Sequence, residues 1–182
     1  VDGSEGANKI LMSDAQGNAS WKDLTEGIAN TGKVYADLYN NEVQRILNSG
    51  QAFTIRFGMT SFFKNVQLSG DAILVNQGGI FKVNATISVN IDDKDAEDEV
   101  YEFYFAKWGN KIAGSTVYLT IDSAVDKNEK YTITLSKLIR LGQNEQVAVY
   151  VRKVGDAKRS VKQNISLVKE ACSFTIEKMD GI

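Results

Sequence analysis

The chain contains no histidine and no proline, and only one cysteine. The missing imidazole removes the commonest general base, the commonest transition-metal ligand and the side chain that titrates nearest neutrality. A single cysteine makes neither an intrachain disulfide nor a cysteine-built zinc site. No apolar run approaches the roughly 20 residues needed to span a bilayer, so no membrane insertion is expected. No basic segment followed by an apolar stretch opens the chain, and no secretory leader is expected. The first residue is Val1, which leads us to expect a fragment of a longer polypeptide. Neither sign of charge dominates: 21 basic residues face 23 acidic ones, a formal net charge of −2. A broad basic face for nucleic acid is therefore not expected.

What is present points to a globular β protein. Hydrophobic residues make up 43% and charged residues 24% of 182 positions, which suits one domain with a short appendage. From Gly79 to Asn90, the residues Phe81, Val83, Ala85, Ile87 and Val89 alternate with Lys82, Asn84, Thr86, Ser88 and Asn90. Successive side chains of a strand point to opposite faces, so this segment has one dry and one wet face. The same period of two recurs around Phe53–Phe57, Tyr101–Phe105, Val117–Ile121, Tyr131–Leu135, Val147–Val151, Ile165–Leu167 and Cys172–Ile176. Gly109-Asn110, Asp126 to Glu129, Gly142 to Asn144 and Gly155-Asp156 supply the turn chemistry between them. Many short strands without a long helix predict an all-β fold, an antiparallel β-sandwich or jelly roll.

The first residues differ. Lys9 to Ser13 and Ala19 to Lys22 flank Gly17 and read as a small hairpin. Asp23 to Leu47 is open to two readings: Leu38, Val43 and Leu47 fit a helix face, whereas Lys33 to Tyr39 also fits a strand. We read 1–40 as a stem, neck or attachment region and 41–182 as the head domain.

Several constellations carry possible chemistry. The run Asp92 to Glu99 holds six carboxylates, and Asp93, Asp95 and Glu97 mimic the opening of a calcium loop. That loop needs a glycine at its sixth position and an acid at its twelfth, where Asp98 and Tyr104 stand. A solvated loop is the expectation, and no metal site. Two carboxylates can also hydrolyse glycosidic bonds, but only when set across a cleft with one desolvated, which neighbours in one loop are not. Ser136-Lys137 is a poor catalytic pair because adjacent strand residues face opposite ways. No catalytic residue and no cofactor are expected, and a polysaccharide hydrolase is the least favoured reading.

Trp108 ends an aromatic strand just before a reversal. A flat indole face stacks on a sugar ring while nearby amides and charges satisfy its hydroxyls. Trp108, Asn110 and Lys111 are the candidate glycan-binding residues, against the plainer reading that Trp108 closes the core or packs on a neighbouring subunit. Arg152, Lys153, Lys158, Arg159 and Lys162 could attract an anionic polymer or simply be solvated. Cys172 reads as a small buried hydrophobe. Val100 to Trp108 has apolar side chains on both faces, so a second subunit or a loop from the first 50 residues is expected to cover it.

Four segments carry resemblances. Gly79-Ile80-Phe81-Lys82-Val83 resembles the G-x-[YF]-x-V strand of the trimeric jelly rolls of the tumour necrosis factor and complement globular-head type. Leu141 to Val147 is similar to their L-x-x-G-D-x-V turn, with Asn144 and Glu145 in place of Gly and Asp. Asn tolerates the left-handed conformation, so the turn survives. Ser173-Phe174-Thr175-Ile176 resembles their final strand. Lys9 to Lys22 resembles the VLTSDANGNASW linker that precedes the distal domains of bacteriophage tail fibres and some head fibres. The resemblance implies a homotrimeric, non-enzymatic receptor-binding protein of the virion tail fibre, joined upstream to fibre or baseplate proteins. Its head would bind a host cell-surface glycan or wall polysaccharide. The alternative is a structural head fibre or capsid decoration protein without a glycan site.

Overall fold

The computed structural model describes residues 6–13, 16–23, 33–46, 50–93, 96, 98–122, 125–155 and 164–179. These carry sixteen strands and no α-helix. The chain divides into two compact units, Val1–Lys33 and Val34–Ile182. In the first, β1 (Lys9–Ser13) and β2 (Ala19–Asp23) form an antiparallel hairpin with Leu11 opposite Trp21. Gly17 takes a φ of +87° in the reversal.

The second unit is a two-layer sandwich. It comprises β3 (Tyr35–Tyr39), β4 (Gln44–Ile46), β5 (Phe53–Thr54), β6 (Met59–Lys64), β7 (Val66–Ser69), β8 (Ala72–Val75), β9 (Gly79–Ile91), β10 (Val100–Lys107), β11 (Asn110–Lys111), β12 (Val117–Thr120), β13 (Lys130–Leu141), β14 (Gln146–Val154), β15 (Ile165–Leu167) and β16 (Ser173–Lys178). One seven-stranded sheet runs β11-β10-β14-β8-β7, with β12 also on β10 and β5 also on β14. The other runs β4-β15-β9-β16-β3-β6, with β13 along the free side of β9. Every pairing is antiparallel. The chain crosses between sheets from β9 to β10, β12 to β13, β13 to β14 and β14 to β15, which is the jelly-roll pattern.

The alternation read in the sequence sets the layers. Phe81, Val83, Ala85, Ile87, Val89 and Ile91 of β9 are buried, as are Tyr101, Phe103 and Phe105 of β10 and Val147, Val149 and Val151 of β14. Phe174 of β16 bridges the layers, its ring centroid 5.3 Å from Phe57 and 6.1 Å from Phe105. Turns fall where Gly and Asn were read: Asn128, Asn144 and Gly109 all have positive φ.

One open reading closes and two expectations change. The segment before residue 47 forms strands where described, with β3 paired to β16 and Leu38 buried opposite Phe174. Leu47 lies outside the described residues. The boundary accordingly moves from about 40 to 33/34, because β3 takes its hydrogen bonds from the large unit. The dry outer face of β10 is covered from within: Tyr104 stacks on Tyr150 of β14 at 5.8 Å, and Ala106 sits in register between Ala148 and Lys111. No second chain is needed to hide it. Exposed apolar side chains remain on the flanking strands of that same face, Tyr118 of β12 and Val154 of β14, and others lie on the edge strand β6 (Met59, Phe62, Phe63), on β7 (Leu68) and on β13 (Leu138).

Candidate functional site

The predicted residues meet at the β10–β11 reversal. Trp108 and Gly109 occupy the turn, both in the left-handed region, at φ +50° and +77°. A β-carbon on Gly109 would meet the Tyr150 hydroxyl at 3.7 Å, so the turn lies close over that phenol. Trp108 is 54% exposed. Asn110 Nδ2 donates to the Trp108 carbonyl at 3.4 Å, which closes the turn.

Lys111 is committed. Its Nζ donates to Glu102 Oε2 at 2.6 Å and stands 4.7 Å from the centroid of the Tyr104 ring. Glu102 is buried on the outer face of β10, and its other oxygen lies 2.5 Å from Arg152 Nη2. The turn thus opens onto a platform: an exposed indole, the Tyr104–Tyr150 stack, and a carboxylate held between two cations. Burial first, then the Glu102 charge, pushes the Tyr104 phenol up, so it stays protonated. Tyr104 and Glu102 are buried beneath the turn, so what reaches solvent is one flat indole face beside the Lys111 and Arg152 cations, groups that can stack on a sugar ring and meet its hydroxyls. The sequence named Trp108, Asn110 and Lys111 as candidates, and the fold sets them together at this turn. Sequence reading missed Glu102, Tyr104 and Tyr150, whose proximity depends on the β10–β14 register.

Arg152 and Lys153 do not form one basic surface. They are neighbours on β14 and point to opposite faces: Arg152 outward to Glu102, Lys153 inward to Glu99. Lys158, Arg159 and Lys162 lie outside the described residues. In the acidic run, Asp92 Oδ1 accepts hydrogen bonds from Asn90 Nδ2 and Ser166 Oγ, each at 2.9 Å. Asp95 and Glu97 lie outside the described residues, and among those described no group of three or more acidic or thiol side chains could hold a metal.

Glu99 was read as part of that run, yet it is buried. Lys153 Nζ and Asn164 Nδ2 both donate to its Oε1, the latter at 3.0 Å, and the Tyr101 hydroxyl donates to Oε2 at 2.5 Å. Burial, then the bond to Glu99, pushes the Tyr101 phenol far above its usual range. The signal was available: Glu99 is in phase with Tyr101 and Phe103, and Lys153 with Val149 and Val151.

A cleft of about 570 Å³, lined by Gln44, Arg45, Phe53, Arg56 and Asp71 among others, also went unread. Gln44 shapes it, donating to the Thr54 carbonyl and accepting from the Arg56 N–H, each at 2.9 Å. At Gly58 a β-carbon would lie 2.6 Å from Asn41 Oδ1, so a side chain there would require the Asn41 carboxamide to shift.

The sandwich is a jelly roll of the tumour necrosis factor type. Eiger, a tumour necrosis factor from S. frugiperda, superposes with a TM-score of 0.57 at 13% identity, over 82% of this chain and 94% of that one. Murine APRIL, in a crystal at pH 8.5, superposes with a TM-score of 0.55 at 9% identity, over 81% of this chain and all of that one. These likenesses are of fold. No protein-family model matches the chain, and no curated protein matches it in sequence.

Proposed function

We propose that this chain is the receptor-binding end of a bacteriophage tail fibre, a homotrimer on the virion whose heads bind a host cell-surface glycan or wall polysaccharide without cleaving it. One observation carries the reading: an exposed tryptophan is fixed in a left-handed turn beside stacked tyrosines and a paired lysine, asparagine and glutamate. A core tryptophan has no reason to occupy such a turn. The tail-fibre setting is supported by the linker-like sequence of the separate hairpin unit. The threefold assembly is supported by the fold and by the exposed Met59, Phe62, Phe63 and Leu138, which a copy would cover. Single glycan sites bind weakly, and three linked heads raise the net affinity through effective concentration.

The test is binding of purified protein to host cells and to a glycan array. Trp108→Ala is expected to abolish selective binding while light scattering still gives about 60 kDa, three chains of 20.0 kDa. Unchanged binding in that variant would remove the site. Binding to no host surface at all would favour a head fibre or decoration protein, in which the hairpin unit is the attachment end. New reducing ends released from wall polymer would make the protein a hydrolase.

A further inference from the structure

Lys153, Asn164 and Glu99 converge at one end of the sandwich interior, and we propose that Lys153 and Asn164 join in an intramolecular isopeptide bond, with Glu99 as the acid–base residue. Lys153 is the inward residue near the end of β14. Asn164 immediately precedes β15 in the opposite sheet, and Glu99 immediately precedes β10. Lys153 Nζ and Asn164 Nδ2 donate to the same oxygen, Glu99 Oε1, so the two nitrogens lie within about 6 Å of each other. Asn164 is fully buried, and Glu99 and Lys153 are 8% and 9% exposed. Water that would compete for the carboxamide is kept out.

The geometry is fixed from several sides. The main-chain carbonyl of Asn164 accepts from the N–H groups of Asp92 and Asp93, at 2.8 and 3.3 Å. The Glu99 carbonyl accepts from the Ile121 N–H at 3.0 Å. The Tyr101 hydroxyl holds Glu99 Oε2, which leaves Oε1 turned to the two nitrogens. An amine and a carboxamide do not condense readily in water, but oriented partners react as if at very high effective concentration.

The step balances without a co-reactant. Glu99 takes a proton from the Lys153 ammonium, and the freed lone pair attacks Asn164 Cγ. The Nζ–Cγ bond forms and a tetrahedral centre results. Glu99 gives its proton to Nδ2, the Cγ–Nδ2 bond breaks, and ammonia departs. The surplus proton on Nζ passes through Glu99 to that ammonia. An ammonium side chain and a carboxamide have become a secondary amide and an ammonium ion, and nothing is oxidised or reduced. The product ties β14 of one sheet to β15 of the other, so the layers cannot part when the head is pulled.

Intact-mass spectrometry of the wild-type chain tests this directly. The expected mass is one ammonia, about 17 Da, below that of the sequence. A tryptic digest is expected to yield a branched peptide joining the segments that contain Lys153 and Asn164. Glu99→Gln, which keeps a side chain of the same shape, is expected to restore the full mass while circular dichroism still shows a β fold. A wild-type chain of full mass would overturn the proposal without recourse to any variant. So would a loss of ammonia that hydroxylamine cleaves, because that marks a cyclic imide at Asn164, or a loss that persists in Glu99→Gln.

Discussion

Lys111 Nζ lies 2.6 Å from Glu102 Oε2, and the carboxylate it meets is 3% exposed. A half-exposed lysine therefore anchors on a buried acid beneath the platform, nine residues back along the chain and across the β10–β11 reversal. Arg152 grips the other oxygen from β14. The same three charges that present the turn to solvent also lock β11 and β14 onto β10.

Removing that acid is expected to cost more than removing either base. In Glu102→Ala, Lys111 and Arg152 each lose a charge-assisted partner, but both are partly exposed and swing into water. The loss is about 1–3 kcal/mol. In Lys111→Ala the carboxylate keeps Arg152 and the loss is smaller. Urea denaturation of the two variants checks the order, and a larger loss for Lys111→Ala would show that the lysine stem, rather than the carboxylate, organises the turn.

Trp108 is expected to be retained at a cost to stability. A bulky residue at φ +50° is strained, whereas asparagine tolerates the left-handed region. Trp108→Asn should raise the unfolding free energy by about 1 kcal/mol. The same change should abolish host binding. Stability gained with binding lost is the mark of a functional residue held in an unfavourable conformation. Stability lost would mean the indole packs on the platform more than it is strained.

Much of the architecture was legible because a half-buried strand writes itself as alternation. Gly79 to Asn90 became β9, and the pairs around Phe103, Val149 and Phe174 became β10, β14 and β16. β6, β7 and β8 were not read. Met59 to Lys64 is an edge strand with Phe62 and Phe63 both exposed, so it has no two-residue period to detect. Trp108, Asn110 and Lys111 could be named together as candidates because they adjoin in sequence. Glu102 and Tyr150 could not, since only the β10–β14 register, which sets Tyr104 against Tyr150 and Glu102 against Arg152, brings them to the turn. The inward Lys153 and Glu99 were masked by charge: each sat in a run of like residues, and the run was read before the phase of the strand.

Cys172 is expected to be inert in the folded protein. It is 2% exposed, and burial pushes its thiol up to about 11, against a smaller opposing effect from the Ser88 N–H that donates to Sγ at 3.4 Å. Two units above the ordinary value lower the reactive thiolate about a hundredfold near neutrality, before access is considered. Maleimide at pH 7.5, a value about that of ordinary assay buffer, should leave the native chain unlabelled and label it once in denaturant. Rapid native labelling would show that β16 opens locally.

Glu145 predicts the acid limb of stability. Its carboxylate accepts the Gly142 N–H at 2.7 Å and the Lys107 ammonium at 3.0 Å, and these bonds, the backbone one first, hold its carboxyl below the ordinary 4.5. A carboxyl with a lower value folded than unfolded binds fewer protons in the folded state. Its contribution is complete above the unfolded value and is lost as pH falls through the folded one. The bond it makes to Gly142 closes the turn between β13 and β14, so protonation loosens that hairpin. Thermal midpoints measured from about pH 6 down to about pH 3 should fall more steeply for the wild type than for Glu145→Gln, which has no charge to lose. At pH 6 the variant should be the less stable of the two. Parallel curves would mean that the half-exposed pair contributes nothing and that the turn is held by Asn144 alone, whose φ of +62° already satisfies it.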